Sequence, residues 1–164
     1  MLRWGISTKI KFWRGMNKQD IGALSKMMVI SSLMKSGRKV LDTIGENHRF
    51  DISFYTDSDK SIKTVQCKTA HLVNGVISVP MRNVKRKQVS NGNGTCSIKY
   101  TNSTYVGEVD YIGVYCPEND KCYLVSTIGN VKTQTNLRID TPKKKFGTSD
   151  TSMNRIRWAE DFEV

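Results

Sequence analysis

The 164-residue chain has no apolar run approaching the roughly 18 residues that span a bilayer, so neither a membrane-spanning helix within it nor a membrane partner is expected. Its basic opening, "MLRWGISTKIKFWRGM", lacks the apolar segment of a secretory signal, and a cytoplasmic, nucleoid-associated location is expected. None of the four cysteines (Cys67, Cys96, Cys116 and Cys122) forms a C-x-x-C pair, so they read as reduced and mostly buried thiols. A zinc site completed by His48 or His71 is the less favoured alternative. No internal repeat is present. The scarcest chemistry is acid: 15 Asp and Glu stand against 26 Lys and Arg, a net charge of +11. A field of that sign favours a polyanion, whether nucleic acid, an anionic membrane surface or an acidic protein. The shortage is sharpest from Arg82 to Tyr105, which holds Arg82, Lys85, Arg86, Lys87 and Lys99 and no acid at all. Rich also in Asn, Ser, Thr and Gly, that stretch reads as a basic loop or ribbon able to follow a duplex backbone.

The length fits one domain with a real core. "NKQDIGALSKMMVISSLMKSG" (Asn17 to Gly37) carries the helix signal. One row runs through Ile21, Leu24, Met28 and Ser31, and a second through Met27, Ile30 and Met34. Together they predict the buried face. Lys18, Gly22, Ser25, Ser32 and Ser36 lie opposite, interrupted by Val29, and Gly37 marks the stop. Strand signals follow in "KVLD", "RFDISFYT", "SIKTVQCKTA" and "VISVPM". "VDYIGVYC" and "KCYLVS" predict a hairpin around "PEND".

The chemistry concentrates between Phe50 and Ala70. Residues two apart on a strand face one side, so Gln66 and Lys68 project together while Cys67 faces away. "TDSDKS" is turn chemistry, and a hairpin there brings Asp51 toward them. A carboxylate offers Mg²⁺ a hard oxygen, and the Gln66 amide oxygen and the Cys67 main-chain carbonyl are further metal-ligand candidates. A nearby ammonium can orient water or offset charge on a phosphate. That set suits metal-assisted phosphodiester hydrolysis. By spacing alone, three polar residues on solvent-facing strand positions are the favoured description.

"KQDIGALSKMMVISSLMKSGRKVLDTIGENHRFDI", "VQCKTAHLVNGVI", "GEVDYIGVYCPENDKCYLVS" and the tail "RWAEDFEV" together resemble the PD-(D/E)XK nuclease superfamily. More narrowly they resemble the bacterial branch that includes homing endonucleases of group I introns, in which the second acid of the motif is a Gln. The resemblance implies an α/β, restriction-endonuclease-like core: a leading helix, a mixed central sheet of about four strands, a flanking helix and a β-hairpin extension. It implies sequence-specific, Mg²⁺-dependent cleavage of double-stranded DNA, and cutting two strands with one site per chain suggests a symmetric dimer or tetramer. Asp51 becomes the main metal ligand, Gln66 the second motif position and Lys68 the catalytic lysine. A catalytically silent DNA-binding protein and a DNA-junction-resolving nuclease remain alternatives.

One departure bears on activity. Relatives carry a Glu on the leading helix, where "GALSK" places Lys26. A cation there opposes Mg²⁺ or pairs with Asp51, and weakened or absent cleavage is expected of it. The domain is expected to span residues 17–164, with 1–16 a basic extension. Arg49 is expected to reach phosphate or to pair with Glu46. His71, Glu108 and Asp110 read as surface or strand-end residues, and "PKKKFG" as a solvated charge run or a further phosphate contact.

Overall fold

The leading helix, α1 (Lys18–Lys35), is closed at both ends by local chemistry. Asn17 caps its start, its side-chain oxygen accepting the Asp20 N–H at 2.8 Å. At the far end Gly37 adopts φ +83°. Its N–H donates to the Met34 carbonyl and that of Arg38 to the Leu33 carbonyl, both at 3.0 Å. This glycine-dependent double closure explains why the helix stops where it does.

The computed structural model describes residues 15–44, 48–92, 94–129, 133–141 and 156–164, with the side chains of Lys85 and Arg86 left aside. Most of the 1–16 extension, Glu46 and the Pro142–Gly147 run lie outside the described residues. After α1 come β1 (Lys39–Asp42), β2 (Ile52–Tyr55), β3 (Lys63–Thr69), β4 (His71–Val73) and β5 (Val76–Pro80). Then follow β6 (Arg82–Ser90), β7 (Cys96–Thr104), β8 (Tyr111–Cys116), β9 (Lys121–Ser126), β10 (Gln134–Arg138) and a 3₁₀ helix, Ala159–Phe162. The expected α/β class with a mixed central sheet is realised. Five strands rather than about four form that sheet, in the order β1-β2-β3-β8-β9. Its neighbours run antiparallel except β3 and β8, which are parallel.

A smaller sheet, β10-β5-β4, covers one face. The β4–β5 hairpin turns at Asn74-Gly75, both at positive φ, the backbone a two-residue hairpin requires. Ile112, Val114, Cys116, Tyr123 and Val125 of the central sheet pack there with Ile77, Val79 and Leu137. α1 covers the other face over Ile52, Phe54, Val65, Cys67, Tyr115 and Leu124. "YIGVYC" reads as a continuous apolar run because β8 is buried on both sides. Where β3 gives way to β4, Glu118 ties the layers together. His71 Nδ1 lies 2.9 Å from its Oε1, and the Cys116 thiol and Leu72 N–H donate to its Oε2. Burial pushes the Glu118 carboxyl upward, but those bonds together outweigh it and leave its pKa below the ordinary value.

The helix face differs from the sequence expectation. Ser25, Val29 and Leu33 are the buried residues, whereas Met27 and Met34 are 59% and 61% exposed. The cause is the seat on the sheet. Gly113 of β8 leaves room for Val29, and a Cβ placed on Gly113 would stand 2.9 Å from Val29 Cγ1 and 3.0 Å from Val65 Cγ1. So close an approach selects small and β-branched residues over long thioethers. Ser25 tolerates complete burial because its hydroxyl lies 2.7 Å from that of Thr69. The Ser32 hydroxyl likewise donates to the Val164 carbonyl.

The expected basic stretch is an antiparallel ribbon of β6 and β7, paired from Arg82↔Thr104 to Ser90↔Cys96. Tyr105 and Met81 anchor its base in the core below the small sheet.

The Gly113 contact yields a stability test. Gly113→Ala should destabilise the fold by about 1–3 kcal/mol, because both valines it meets are stiff at χ1. Val29→Ala in the same chain should return part of that loss, as read from urea unfolding midpoints.

Candidate active site

The site forms where two strands of unequal length part company. β2 begins at Ile52, opposite Val65, but β3 continues to Thr69. On the β2 side, the edge of β3 beyond Val65 therefore has no strand ladder to satisfy its N–H groups. Asp51 takes over that duty. Its own N–H donates to the Val65 carbonyl at 3.0 Å. Its carboxylate oxygen Oδ2 then accepts the Cys67 N–H at 2.7 Å and the Gln66 side-chain amide N–H. Thr43, just past the end of β1, fixes the residue by donating its hydroxyl to the Asp51 carbonyl at 3.0 Å. Asp51, Gln66 and Cys67 are thus brought together.

Lys68 lies half-buried farther along β3. Its Nζ stands 5.4 Å from the centroid of the Tyr105 ring, a cation–π contact that restrains a long side chain. Tyr105 itself is buried. Neither it nor Thr43 is marked by a motif, and only the fold links them to the site.

Cys67 faces the helix side of the sheet. Burial pushes its thiol pKa far up, and the Asp51 carboxylate adds to the rise. The sulfur therefore stays protonated, and only the main-chain carbonyl of Cys67 suits a hard cation. Among the described residues, no group of three His, Cys, Asp or Glu gathers as a metal cluster. The available donors are oxygens: Asp51 Oδ1, which takes no hydrogen bond among the described residues, the Cys67 carbonyl, and the Gln66 amide once its oxygen is turned inward. This set, with one negative charge, fits a Mg²⁺-like ion that keeps several waters.

Lys26 meets a partner that the sequence reading did not name. Its Nζ pairs with Asp42 Oδ1 at 2.5 Å, and no ion pair with Asp51 is found among the described residues. Asp42 closes β1 opposite Ile52, one residue from Asp51. Only the β1–β2 register reveals it; in "KVLD" it resembles any strand-end acid.

Other candidates are placed apart from this centre. Asp110 binds the Thr64 N–H at 2.7 Å and the Thr64 hydroxyl at 2.8 Å, a clasp between β3 and the start of β8. His48 Nε2 lies 2.8 Å from the Ile44 carbonyl. Arg49 and Arg82 are exposed. On the ribbon, Lys87 and Lys99 are exposed and directly opposite one another, while Lys85 and Arg86 occupy positions opposite Thr101 and Tyr100.

A family model described as PD-(D/E)XK endonuclease matches residues 16–164. The solved structure of a bacterial homing endonuclease, I-Ssp6803I, aligns with a TM-score of 0.60 over 90% of this chain and 89% of that one. At 15% identity, that likeness is one of fold. No curated protein matches the chain.

The neutral Gln66 can be tested directly. Gln66→Glu sets a second carboxylate against Asp51, so the variant should unfold at a lower temperature than the parent in chelator. Excess Mg²⁺ should raise its midpoint by more than the parent's, since a second charged ligand tightens binding to the folded state. Equal Mg²⁺ shifts in the two proteins would remove Gln66 from the metal site.

Proposed function

The chain belongs to the PD-(D/E)XK endonuclease family, and from that premise we propose that it is a Mg²⁺-dependent, sequence-specific endonuclease of double-stranded DNA, of the homing type. The observation that carries the reading is the Asp51 carboxylate, held at the open edge of β3 by Cys67 and Gln66. Asp51 is the principal metal ligand, with the Gln66 amide oxygen and the Cys67 carbonyl as additional donors. Bound Mg²⁺ would supply Lewis acidity toward a phosphate oxygen and an attacking water. The chain's own contribution is position and charge. Lys68, steadied over Tyr105, offers an ammonium that can hold a water or offset charge gathering on the scissile phosphate.

The ribbon supplies the DNA-binding surface. Lys87 and Lys99 sit opposite one another, where like charges repel, and no acid lies within the stretch to neutralise them. Duplex phosphates would relieve that repulsion, and a two-stranded ribbon has the width of a major groove. Lys85 and Arg86 of the same strand, with Arg82 at its base and Arg49 beside Asp51, complete the proposed DNA-binding set. One site per chain and two strands to cut imply a symmetric dimer or tetramer. Residues 17–164 act as one nuclease unit preceded by a basic lead, working on the nucleoid in the cytoplasm.

A silent DNA-binding protein is the second reading, and Lys26 is the observation that favours it. Matched linear and four-way DNA, each with and without Mg²⁺, separate the possibilities. Cleavage of linear cognate DNA should require Mg²⁺ and fall roughly hundredfold or more in Asp51→Ala. Binding without cleavage selects the silent protein, and preference for four-way DNA selects a junction-resolving nuclease.

Salt dependence tests the ribbon separately. Replacing Lys87 and Lys99 together by Ala should lower the slope of log K against log salt by about 0.9 for each phosphate that is no longer neutralised. An unchanged slope would place the DNA elsewhere.

A further inference from the structure

Lys26 brings a positive charge to the rim of the layer between α1 and the sheet, where its side chain is 26% exposed. Its counter-ion, Asp42, is 54% exposed and lies 2.5 Å away. Asp42 is paired in register with Ile52, and Thr43, the next residue, binds the Asp51 carbonyl. Lys26, Asp42 and Asp51 therefore surround one short stretch of β2 and β3. All three charges act on the Cys67 thiol, whose own N–H is held by Asp51.

The Lys26 ammonium ends a flexible four-carbon stem. Held by Asp42, it is neutralised locally. Released, it would find Asp51 as the remaining carboxylate of this group, and there it would occupy the negative potential a divalent cation needs. We propose that Asp42 is a positioning residue that holds the Lys26 ammonium away from Asp51 and so keeps that carboxylate open to a hard divalent cation. The inference rests on the reading of Asp51 as the metal ligand. It makes Lys26 a charge answered within this chain, and Asp42 the group whose loss, more than the presence of Lys26, silences the site.

The test is titration of the full chain with Mn²⁺, followed by electron paramagnetic resonance without DNA, so that the readout is metal occupancy. The proteins are the parent, Asp42→Asn, Lys26→Met with Asp42→Asn, and Asp51→Ala. The asparagine keeps the shape of Asp42 and removes its charge, and thermal unfolding checks that each variant is folded. Asp42→Asn should bind Mn²⁺ roughly tenfold more weakly or worse, because an uncompensated cation then competes at Asp51. The double variant should recover the parent's affinity, which loss of a merely structural ion pair would not allow. Asp42→Glu should bind as the parent does. If Asp51→Ala abolishes binding but Asp42→Asn leaves it intact, or the double variant fails to recover, the positioning role is overturned while the metal site stands. If Asp51→Ala binds as the parent does, the reading of Asp51 falls and the role of Asp42 falls with it.

Discussion

The bond from the Cys67 N–H to the Asp51 carboxylate joins the fold to the candidate chemistry. β3 outruns β2, and an N–H stranded at that edge would cost about 1–3 kcal/mol if buried without a partner. A side-chain acceptor at the last residue before β2 supplies the partner. The same carboxylate spends Oδ2 on the chain and leaves Oδ1 without a hydrogen bond among the described residues. Structure and site thus draw on a single group. Replacing Asp51 removes the proposed ligand and at the same time uncaps the strand, so loss of activity in such a variant needs a folding measurement beside it.

The helix seat is the second constraint, and it settles where charge falls. Gly113 lets Val29 approach the sheet, and Ser25 meets Thr69 one turn earlier. With those two positions fixed, Lys26 is turned to the rim, within reach of the end of β1. A helix seated on its methionine row would have carried Lys26 elsewhere. The packing of a glycine against a valine therefore governs which acid answers Lys26, and through it the electrostatics around Asp51.

Much of this was legible in the sequence, for identifiable reasons. Strand alternation is strict, so the spacing of Gln66 and Lys68 forecast a shared face, and the turn chemistry before Ser61 forecast the approach of Asp51. Gly37 marked the helix end because positive φ is cheap only there. The buried helix face was not legible, because counting apolar residues favours Met27 and Met34 over Ser25. A serine becomes a core residue only when a hydroxyl on another element meets it, and Thr69 is 44 residues away. Asp42 was hidden for a similar reason: its importance lies in cross-strand register, which composition does not encode. β4 escaped notice although "NG" between "LV" and "VI" carries the hairpin signal.

The chain meets the problem of excess positive charge in two ways, and the contrast follows from packing. At Lys26 the cation stands at the half-buried rim between the helix and the sheet, and a neighbouring carboxylate, Asp42, answers it. On the ribbon, Lys87 and Lys99 face each other with no acid, yet both are in water and the paired strands stand outside the two core clusters, joined to the core through the flanking Met81 and Tyr105. Their repulsion strains only the ribbon and leaves the core untouched. The register also divides the ribbon into unlike faces, with Lys87 and Lys99 on one and the exposed Val84, Ile98 and Tyr100 on the other. An isolated two-stranded ribbon is marginally stable by itself. One that also carries opposed lysines gains most from a partner that is both anionic and groove-shaped. On the proposed reading, uncompensated charge on the ribbon and compensated charge beside Asp51 are parts of one design: the first would attract the polyanion, and the second would keep the chain's own cations from taking the place of the metal.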